Sequence, residues 1–400
     1  MNINPVVLSI PLYFLLIGIE LIWEARSRKG VYRINDALTN ISCGISSQVT
    51  GALWNVLSVL AFAFVYEYSI FKIEDNWFTW IILFMLIDLM YYWYHRASHE
   101  VNFLWNVSHV VHHQSEDYNL SVALRQASFG GVFSMMFYLP LAFLGFSPTA
   151  FVLLKGFNLI YQFWIHTEAI EKMPRWFEYI FNTPSHHRVH HGRNPKYIDR
   201  NHAGTLIIWD RMFGTFQKEE EKPTYGVTKP VMTWNPVWAN VMPVVDMSKQ
   251  FVQTPGFMNK MKVLFYKPGW QPAELGGYQP APDIDPAYSK FATKTSLGLN
   301  AYLIAQYLLL LVGTALFLFN HQQFAMDAKL ISAGFIILTI VSFGMLLENR
   351  KTWKIIETVR NICLPVISFF YFPSLLIPTI AVAVVFSGWF MFLNSKSDAH

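Results

Sequence analysis

Cysteine and charge are both scarce in this chain of 400 residues. Its only cysteines, Cys43 and Cys363, supply neither a disulfide framework nor a thiolate metal site. Charged residues make up 14% of the sequence, and neither a basic run nor a nucleic-acid-binding motif accompanies the net charge of +4. This pattern excludes a nucleic-acid partner and favours contact with anionic lipid. The N-terminus has no basic n-region and no clear cleavage site, which predicts a retained anchor rather than a signal peptide.

Apolar residues, in contrast, are abundant. They make up 53% of the chain, and several stretches approach the about 20 residues that cross a bilayer as a helix. The sequence therefore predicts an all-α, polytopic membrane protein. The predicted membrane spans cover residues 5–23, 49–65, 77–94, 296–320 and 330–347.

Loop charges predict the orientation of these spans. Four basic residues follow the first span, and a second basic group begins at Arg350, so both loops are predicted to be cytoplasmic. Because successive spans alternate in direction, the third span should also end on the cytoplasmic face. The basic residues after the first span are Arg26, Arg28, Lys29 and Arg33.

The other segments complete the predicted organisation. Residues 129–167 are apolar with a central break, which predicts a helical hairpin that returns to the same side. Residues 168–297 contain no span and are rich in proline, glycine and aromatics in their second half, as in an irregular cytosolic cap. Residues 361–393 fit either one broken span or a short hairpin. The predicted regions are an N-terminal transmembrane region (1–87), a catalytic core (88–217), a cytosolic cap or linker (218–297) and a C-terminal transmembrane region (298–400).

Histidines are concentrated between residues 95 and 191, a window that holds all of the chain's 13 histidines except His202, His321 and His400. They form one HxxxH motif and two HxxHH motifs. Residues three or four apart share a face of a helix, so each motif directs its imidazoles to one side. A lone histidine at the end of the hairpin is either a further ligand or an interfacial residue. The candidate metal ligands are His95, His99, His109, His112, His113, His166, His187, His190 and His191.

The number of these histidines predicts two metal ions, because a structural zinc ion takes only about four ligands. Imidazole ligation suits iron, zinc or copper. Two irons beside a bilayer would suit the activation of dioxygen, with the protein excluding water from the site. The sequence thus predicts a dinuclear metal site at the cytoplasmic face of the membrane.

The third histidine motif is predicted to lie on a short helix. Thr183 and Pro184 resemble an N-cap followed by proline at the first helical position, and Gly192 ends the turn. Neighbouring helical residues are turned by about 100°, so His186 should face away from the ligands. His202, further along the chain, is expected beside the ligands or at the surface.

Asp88 is a carboxylate inside a predicted membrane span, where such a group is costly and usually functional. It lies on the extended face of the first histidine motif. We predict that it accepts a hydrogen bond from a ligating imidazole. A purely structural role for Asp88 is the alternative.

The histidine motifs and the residues around them resemble the fatty acid hydroxylase superfamily of membrane di-iron enzymes, which includes the sterol desaturases. Weaker similarity near residues 267–270 and 336–339 favours a branch of this superfamily that acts on ether lipids. The core resemblance covers residues 88–216. The stretches that carry it are residues 91–102, 112–126, 163–168, 182–191 and 209–216.

The resemblance implies a reaction and further site residues. It implies two iron ions on the motif histidines, dioxygen as a substrate and tetrahydrobiopterin as the reductant. Hydroxylation of the ether carbon of an alkylglycerol would give a hemiacetal, which collapses to a fatty aldehyde and a glycerol derivative. Glu100 and Asn119 would support the site, and with Asp88 they are the candidate catalytic residues. One departure is visible, since His202 follows Asn201 where the family usually has tyrosine.

Three hypotheses follow for the function. The first is a di-iron monooxygenase of alkylglycerol ethers. The second keeps the chemistry but acts on a fatty acyl, sterol or carotenoid substrate, as a hydroxylase or desaturase. The third is a histidine-lined metal transporter, although transporters usually place ionisable ligands near the middle of the bilayer. The expected partners are a membrane lipid, dioxygen and an electron donor that is a pterin or another redox partner. The expected location is the endoplasmic reticulum membrane in a eukaryote or the inner membrane in a bacterium.

Overall fold

A computed structural model describes residues 5–397 of the chain. These residues form helices and no β-strand, which confirms the predicted fold class. Two of the first seven helices are very short and are joined by a π-helical turn, Trp105–His109. These helices are α1 (Pro5–Ser27), α2 (Ile34–Glu67), α3 (Trp77–Glu100), α4 (Asn102–Leu104), α5 (Val110–His113), α6 (Gly130–Leu144) and α7 (Pro148–Trp164).

Among the described residues, five helical stretches are long and apolar enough to cross a membrane. A sixth span is added if the two halves of α2, which are bent by 47° relative to each other, cross together. An integral membrane protein was therefore correctly predicted. The five stretches are Pro5–Ser27, Trp77–Glu100, Leu297–Gln323, Met326–Leu347 and Pro373–Leu393.

Helix α2 begins 15 residues before the predicted span at residue 49, because its first half has a buried polar face. Asp36 accepts hydrogen bonds from the side chains of Asn40 and Ser115. Asn40 in turn donates to the hydroxyl of Ser121, at 3.0 Å. These polar contacts fix α2 against the loop that follows the second histidine motif. A hydropathy pattern does not reveal such a helix, since its inner face is polar.

The predicted hairpin is formed by α6 and α7, which have 15 and 17 residues. Both arms are shorter than the about 20 residues needed to cross a bilayer. The turn requires glycine, because Gly145 has a φ of 104° and a Cβ there would lie 2.0 Å from the carbonyl oxygen of Phe71. Helix α7 packs against α3 and leads directly to His166.

The segment between the hairpin and the C-terminal spans contains no candidate span in the described chain, as predicted. Its second half is more helical than its composition indicates, because it contains α11, which Asn235 caps by accepting hydrogen bonds from the backbone N–H groups of Val237 and Trp238. Residues 266–296 are irregular apart from the turn Ala273–Leu275. The helices here are α8 (Arg175–Ile180), α9 (Pro184–His190), α10 (Ile208–Met212), α11 (Pro236–Gln253) and α12 (Phe257–Phe265).

The last part of the chain is a helical hairpin rather than one broken span. Its first arm begins before the apolar stretch because it carries Glu357, a fully buried carboxylate. Glu357 accepts hydrogen bonds from Gln306 Nε2 at 2.8 Å, Ser342 Oγ at 2.9 Å and Arg360 Nε at 3.0 Å. This polar cluster joins three helices. The C-terminal helices are α13 (Leu297–Asn320), α14 (Met326–Leu347), α15 (Trp353–Tyr371) and α16 (Leu376–Ser397), and the last two form the hairpin.

Candidate metal centre

The HxxxH motif lies in the last two turns of α3. The rings of His95 and His99 are both buried, with centroids 5.4 Å apart. His95 Nδ1 donates a hydrogen bond of 2.7 Å to the backbone carbonyl oxygen of His202. This bond fixes the tautomer of His95 and leaves its Nε2 without a proton, which is the form that binds a metal.

The second motif spans a change in helix geometry. His109 ends the π-helical turn Trp105–His109, and His112 and His113 lie on α5. Such π-helical turns occur frequently at functional sites. His112 Nδ1 donates to the backbone carbonyl oxygen of Arg125 at 2.9 Å, so its Nε2 is also a free acceptor.

The third motif lies on α9, which begins at Pro184 after Thr183 and ends at His190, close to the predicted bounds. His190 Nδ1 donates to the carbonyl oxygen of Arg200 at 2.9 Å. Arg188, on the same helix, donates to the carbonyl oxygens of residues 167, 170 and 171 and pairs with Glu219 at 2.7 Å. The guanidinium group thereby holds α9 against the segment after His166.

The nine predicted ligands come together in two adjoining groups. Within each group one ring nitrogen of every residue lies within 4.8 Å of the others, and all nine residues are buried. The groups are in contact, since the rings of His113 and His191 are stacked with centroids 4.4 Å apart. The five-histidine group is His95, His99, His109, His113 and His190; the four-histidine group is His112, His166, His187 and His191.

Both HxxHH motifs contribute to both groups, although their spacing suggested one face each. His109 and His113 belong to the five-histidine group, whereas His112 belongs to the four-histidine group. In the third motif, His190 is separated from His187 and His191 in the same way. Each short helix therefore lies between the two groups.

The facing ring nitrogens make these groups suitable for binding cations. His112 and His166 each donate through Nδ1 to a backbone carbonyl, so both Nε2 atoms are acceptors. These two acceptors lie only 3.2 Å apart, and a similar separation of 3.1 Å is found between Nε2 of His112 and His191. Metal–nitrogen bonds of about 2.0–2.1 Å place neighbouring ligands at about this separation. A cation between the lone pairs would remove their repulsion, so the residues fit a metal.

Burial keeps these imidazoles neutral. It lowers the pKa of His112 to about 4 and lowers the pKa values of His187 and His191 well below the usual range. The dominant cause is the loss of hydration of the charged form, and for His187 and His191 neighbouring histidines add to it. Metal ligation requires the neutral form, so the site is prepared for it.

Among the described residues Asp88 accepts no hydrogen bond from a histidine ring, so the predicted hydrogen bond to a ligand is wrong. The fully buried carboxylate instead accepts four hydrogen bonds. Its Oδ1 accepts from Asn158 Nδ2 at 2.6 Å and Thr205 N at 2.7 Å, and its Oδ2 accepts from Leu206 N and Trp209 Nε1, both at 2.9 Å. Asp88 thus joins α3 to α7 and to the loop after His202. This is the purely structural role that was the alternative for Asp88.

Glu100 and Asn119 form no hydrogen bond with a histidine ring in the described part of the chain. Glu100 is paired with Arg96 at 3.3 Å and with Lys267 at 3.7 Å. The Asn119 side chain accepts from the backbone N–H of Ser121 and donates to the carbonyl oxygen of residue 31 at 2.6 Å. Both residues therefore shape loops around the site rather than reach the facing nitrogens.

Asp199 is a site residue that sequence reasoning missed. Its Oδ1 lies 3.7 Å from His99 Nδ1, and its Oδ2 accepts a hydrogen bond of 3.2 Å from Lys267, the partner of Glu100. This separation is longer than a hydrogen bond, so Asp199 is a neighbour of His99 whose carboxylate would orient the ring after a small approach. Asp199 is 100 positions from His99 in the sequence, so no local spacing connects them.

His186 and His202, the two nearby histidines outside the list of candidate ligands, have different environments. His186 lies outside both groups, as predicted, and packs against Phe216 with ring centroids 5.5 Å apart. His202 also lies outside both groups but is fully buried beside the five-histidine group. Its ring centroid is 5.0 Å from that of His99.

The part of the chain that carries the clustered histidines is similar to a known protein family. A family model described as fatty acid hydroxylase matches residues 80–215, nearly the range of the expected core. No solved structure matches the chain.

Relatives extend the similarity over most of the chain. An alkylglycerol monooxygenase of Xenopus tropicalis is 41% identical over 87% of this chain and 78% of that protein. One of Homo sapiens is 40% identical over 97% of this chain and 88% of that protein. One of Danio rerio is 36% identical over 93% of this chain and 84% of that protein. With its histidine motifs gathered into one buried centre, the chain belongs to the alkylglycerol monooxygenase family of fatty acid hydroxylases.

Proposed function

We propose that this protein is a membrane monooxygenase that cleaves alkylglycerol ethers and holds two iron ions on its nine clustered histidines. The observation that carries the proposal is the pair of adjoining histidine groups, in which nitrogens that can only accept hydrogen bonds face each other. Iron is the metal of choice because imidazole ligation suits it and the family to which the chain belongs uses it. When bound, iron would supply the activation of dioxygen.

The overall reaction balances with one oxidant and one two-electron donor. One oxygen atom of dioxygen enters the C–H bond beside the ether oxygen, and the other leaves as water with two electrons and two protons from the donor. The resulting hemiacetal breaks its bond to the glycerol oxygen and gives a fatty aldehyde and a glycerol derivative. We propose tetrahydrobiopterin as the donor, because the superfamily branch that acts on ether lipids uses it.

The chain's own residues position and enclose this reaction. Helix α3 carries two ligands at its end, so an alkyl chain that stays in the bilayer can bring its polar head to the histidines. The backbone carbonyls of residues 125, 162, 200 and 202 set the imidazole tautomers. Burial of all nine ligands excludes water from the centre.

We propose that the centre faces the cytoplasm. The basic loop after α1 lies at the same end of the molecule as the histidines, since Arg33 pairs with Asp117 at 2.8 Å, just after the second motif. Basic loops are retained on the cytoplasmic side. The membrane would be the endoplasmic reticulum in a eukaryote or the inner membrane in a bacterium.

The test is turnover of an alkylglycerol by the purified protein in detergent or vesicles. We expect fatty aldehyde with dioxygen and tetrahydrobiopterin, none without dioxygen, and two irons per chain by elemental analysis. His112→Ala and His190→Ala, one from each group, should abolish turnover, whereas His321→Ala, a histidine far along the chain, should not. Survival of the ether lipid while an acyl or sterol product forms would refute the proposed substrate, and well under two metals per active chain would refute the dinuclear centre.

A further inference from the structure

His202 is fully buried, yet both of its ring nitrogens lack a hydrogen-bond partner in the described chain. Its ring borders the five-histidine group, with centroids 5.0 Å from His99 and 5.8 Å from both His95 and His190. A buried polar group without a partner is costly, so a partner supplied by a bound molecule is expected. His202 is therefore either a further metal ligand or a group that contacts something held at the metal.

The position of the ring outside both ligand groups argues against a permanent ligand. His95, His112, His166 and His190 each donate through Nδ1 to a backbone carbonyl, which directs Nε2 towards the metal. Among the described residues the ring of His202 has no such acceptor, a feature that it shares with Nδ1 of His187, but unlike His187 it belongs to neither ligand group.

The backbone of His202, in contrast, is firmly fixed. Its N–H and that of Ala203 donate to the two carboxylate oxygens of Asp210, each at 2.8 Å. Its carbonyl oxygen accepts the hydrogen bond from His95 Nδ1. The loop thus places the ring beside the group through main-chain contacts and leaves both ring nitrogens free to bind.

Two ligands whose rings neighbour His202 also have an unpaired nitrogen in the described chain. Nε2 of His99 and Nε2 of His190 also lack hydrogen-bond partners, and both rings neighbour that of His202. An iron ion held by these imidazoles would bind a small molecule at a position that they leave open. A ring with one donor and one acceptor nitrogen beside these ligands can hydrogen-bond whatever occupies that position.

We propose that His202 is a positioning residue that hydrogen-bonds the exchangeable small molecule, water at rest, on the open side of the five-histidine metal. This inference rests on the proposed metal centre. It predicts that the ring affects binding of small anions at the metal but not retention of the metal itself.

The experiment compares His202→Phe, which removes both nitrogens and keeps an aromatic ring, with His202→Gln, which keeps a donor and an acceptor. His186→Phe is the matched control, because His186 is also a buried histidine of this region but lies outside both groups. Metal per chain is measured by elemental analysis. Azide affinity is measured by titration of the oxidised iron-loaded protein, followed by its absorption spectrum.

We expect His202→Phe to keep the wild-type metal content and to weaken azide binding about tenfold, the worth of one hydrogen bond to a charged group. His202→Gln should restore most of the affinity, and His186→Phe should behave as wild type. Loss of metal from His202→Phe would make His202 a ligand and overturn the proposal, as would unchanged azide affinity. If His202→Phe does not fold, His202→Ala takes its place in the same comparison. A wild-type protein that takes up no metal would instead refute the proposed function.

Discussion

Replacement of Asp88 by asparagine separates a structural role from a role in metal binding. The carboxylate accepts two hydrogen bonds on each oxygen and is fully buried, so it has no access to water. Asparagine has nearly the same shape but presents one NH₂ group in place of an oxygen. Either orientation of the amide directs that group at two existing donors.

The cost follows from this geometry. In one orientation Asn158 Nδ2 and Thr205 N lose their acceptor, and in the other Leu206 N and Trp209 Nε1 lose theirs. A buried donor without a partner costs about 1–3 kcal/mol, so two such donors cost about 2–6 kcal/mol. That is a large part of the about 5–15 kcal/mol by which a typical protein is stable.

Thermal unfolding of the purified protein in detergent, together with metal analysis of the folded fraction, tests this expectation. We expect a marked fall in the unfolding temperature of Asp88→Asn, with a wild-type metal content in the molecules that remain folded. Asp246→Asn is the matched control, because its partly exposed carboxylate pairs with Lys229 and Lys249 and contributes at most about 1 kcal/mol. Wild-type stability of Asp88→Asn combined with loss of metal would refute the structural assignment and restore the sequence-based one.

Three further predictions concern the surroundings of the centre. Gly204→Ala should destabilise the protein, because its Cβ would lie 2.9 Å from Oδ1 of Asp88, and four hydrogen bonds hold that carboxylate in place; an unchanged unfolding temperature would contradict this contact. Asp199→Asn should weaken metal affinity about 10–100-fold by removing the carboxylate charge 3.7 Å from His99 Nδ1, as measured by competition with a chelator, and equal affinity would show that Asp199 does not orient the ligand. Glu100→Gln should retain its metal and most of its turnover, because the partly exposed carboxylate reaches only basic side chains; loss of metal would instead place it in the centre.

Much of the fold was predictable from local pattern. Apolar length identified the spans that begin at Pro5, Trp77 and Leu297, because a helix in lipid satisfies its backbone internally and needs only apolar side chains. The hairpin turn at Gly145 was also visible as a break in the apolar stretch. The polar inner face of α2 and the early start of α15 were not, because buried hydrogen-bond networks reverse the usual hydropathy signal.

The ligands of the centre were predictable for a similar reason. Spacing of three and four residues is a local property of helices, so the three motifs identified eight histidines without knowledge of the fold. His166 belongs to no motif, so its place among the ligands could be decided only from the structure. There the end of α7 places its Nε2 3.0 Å from that of His187.

Residue types and spacing in the sequence by itself determined a helical membrane protein whose histidines are spaced for a metal centre. Only the tertiary structure decided how those histidines divide into groups of five and four, since each short helix presents imidazoles to both sides. It also decided that Asp88 supports a loop, that Asp199 approaches His99, and that His202 borders the centre with both nitrogens unpaired. These contacts join residues about 100 positions apart. They depend on chain packing, which local periodicity does not encode.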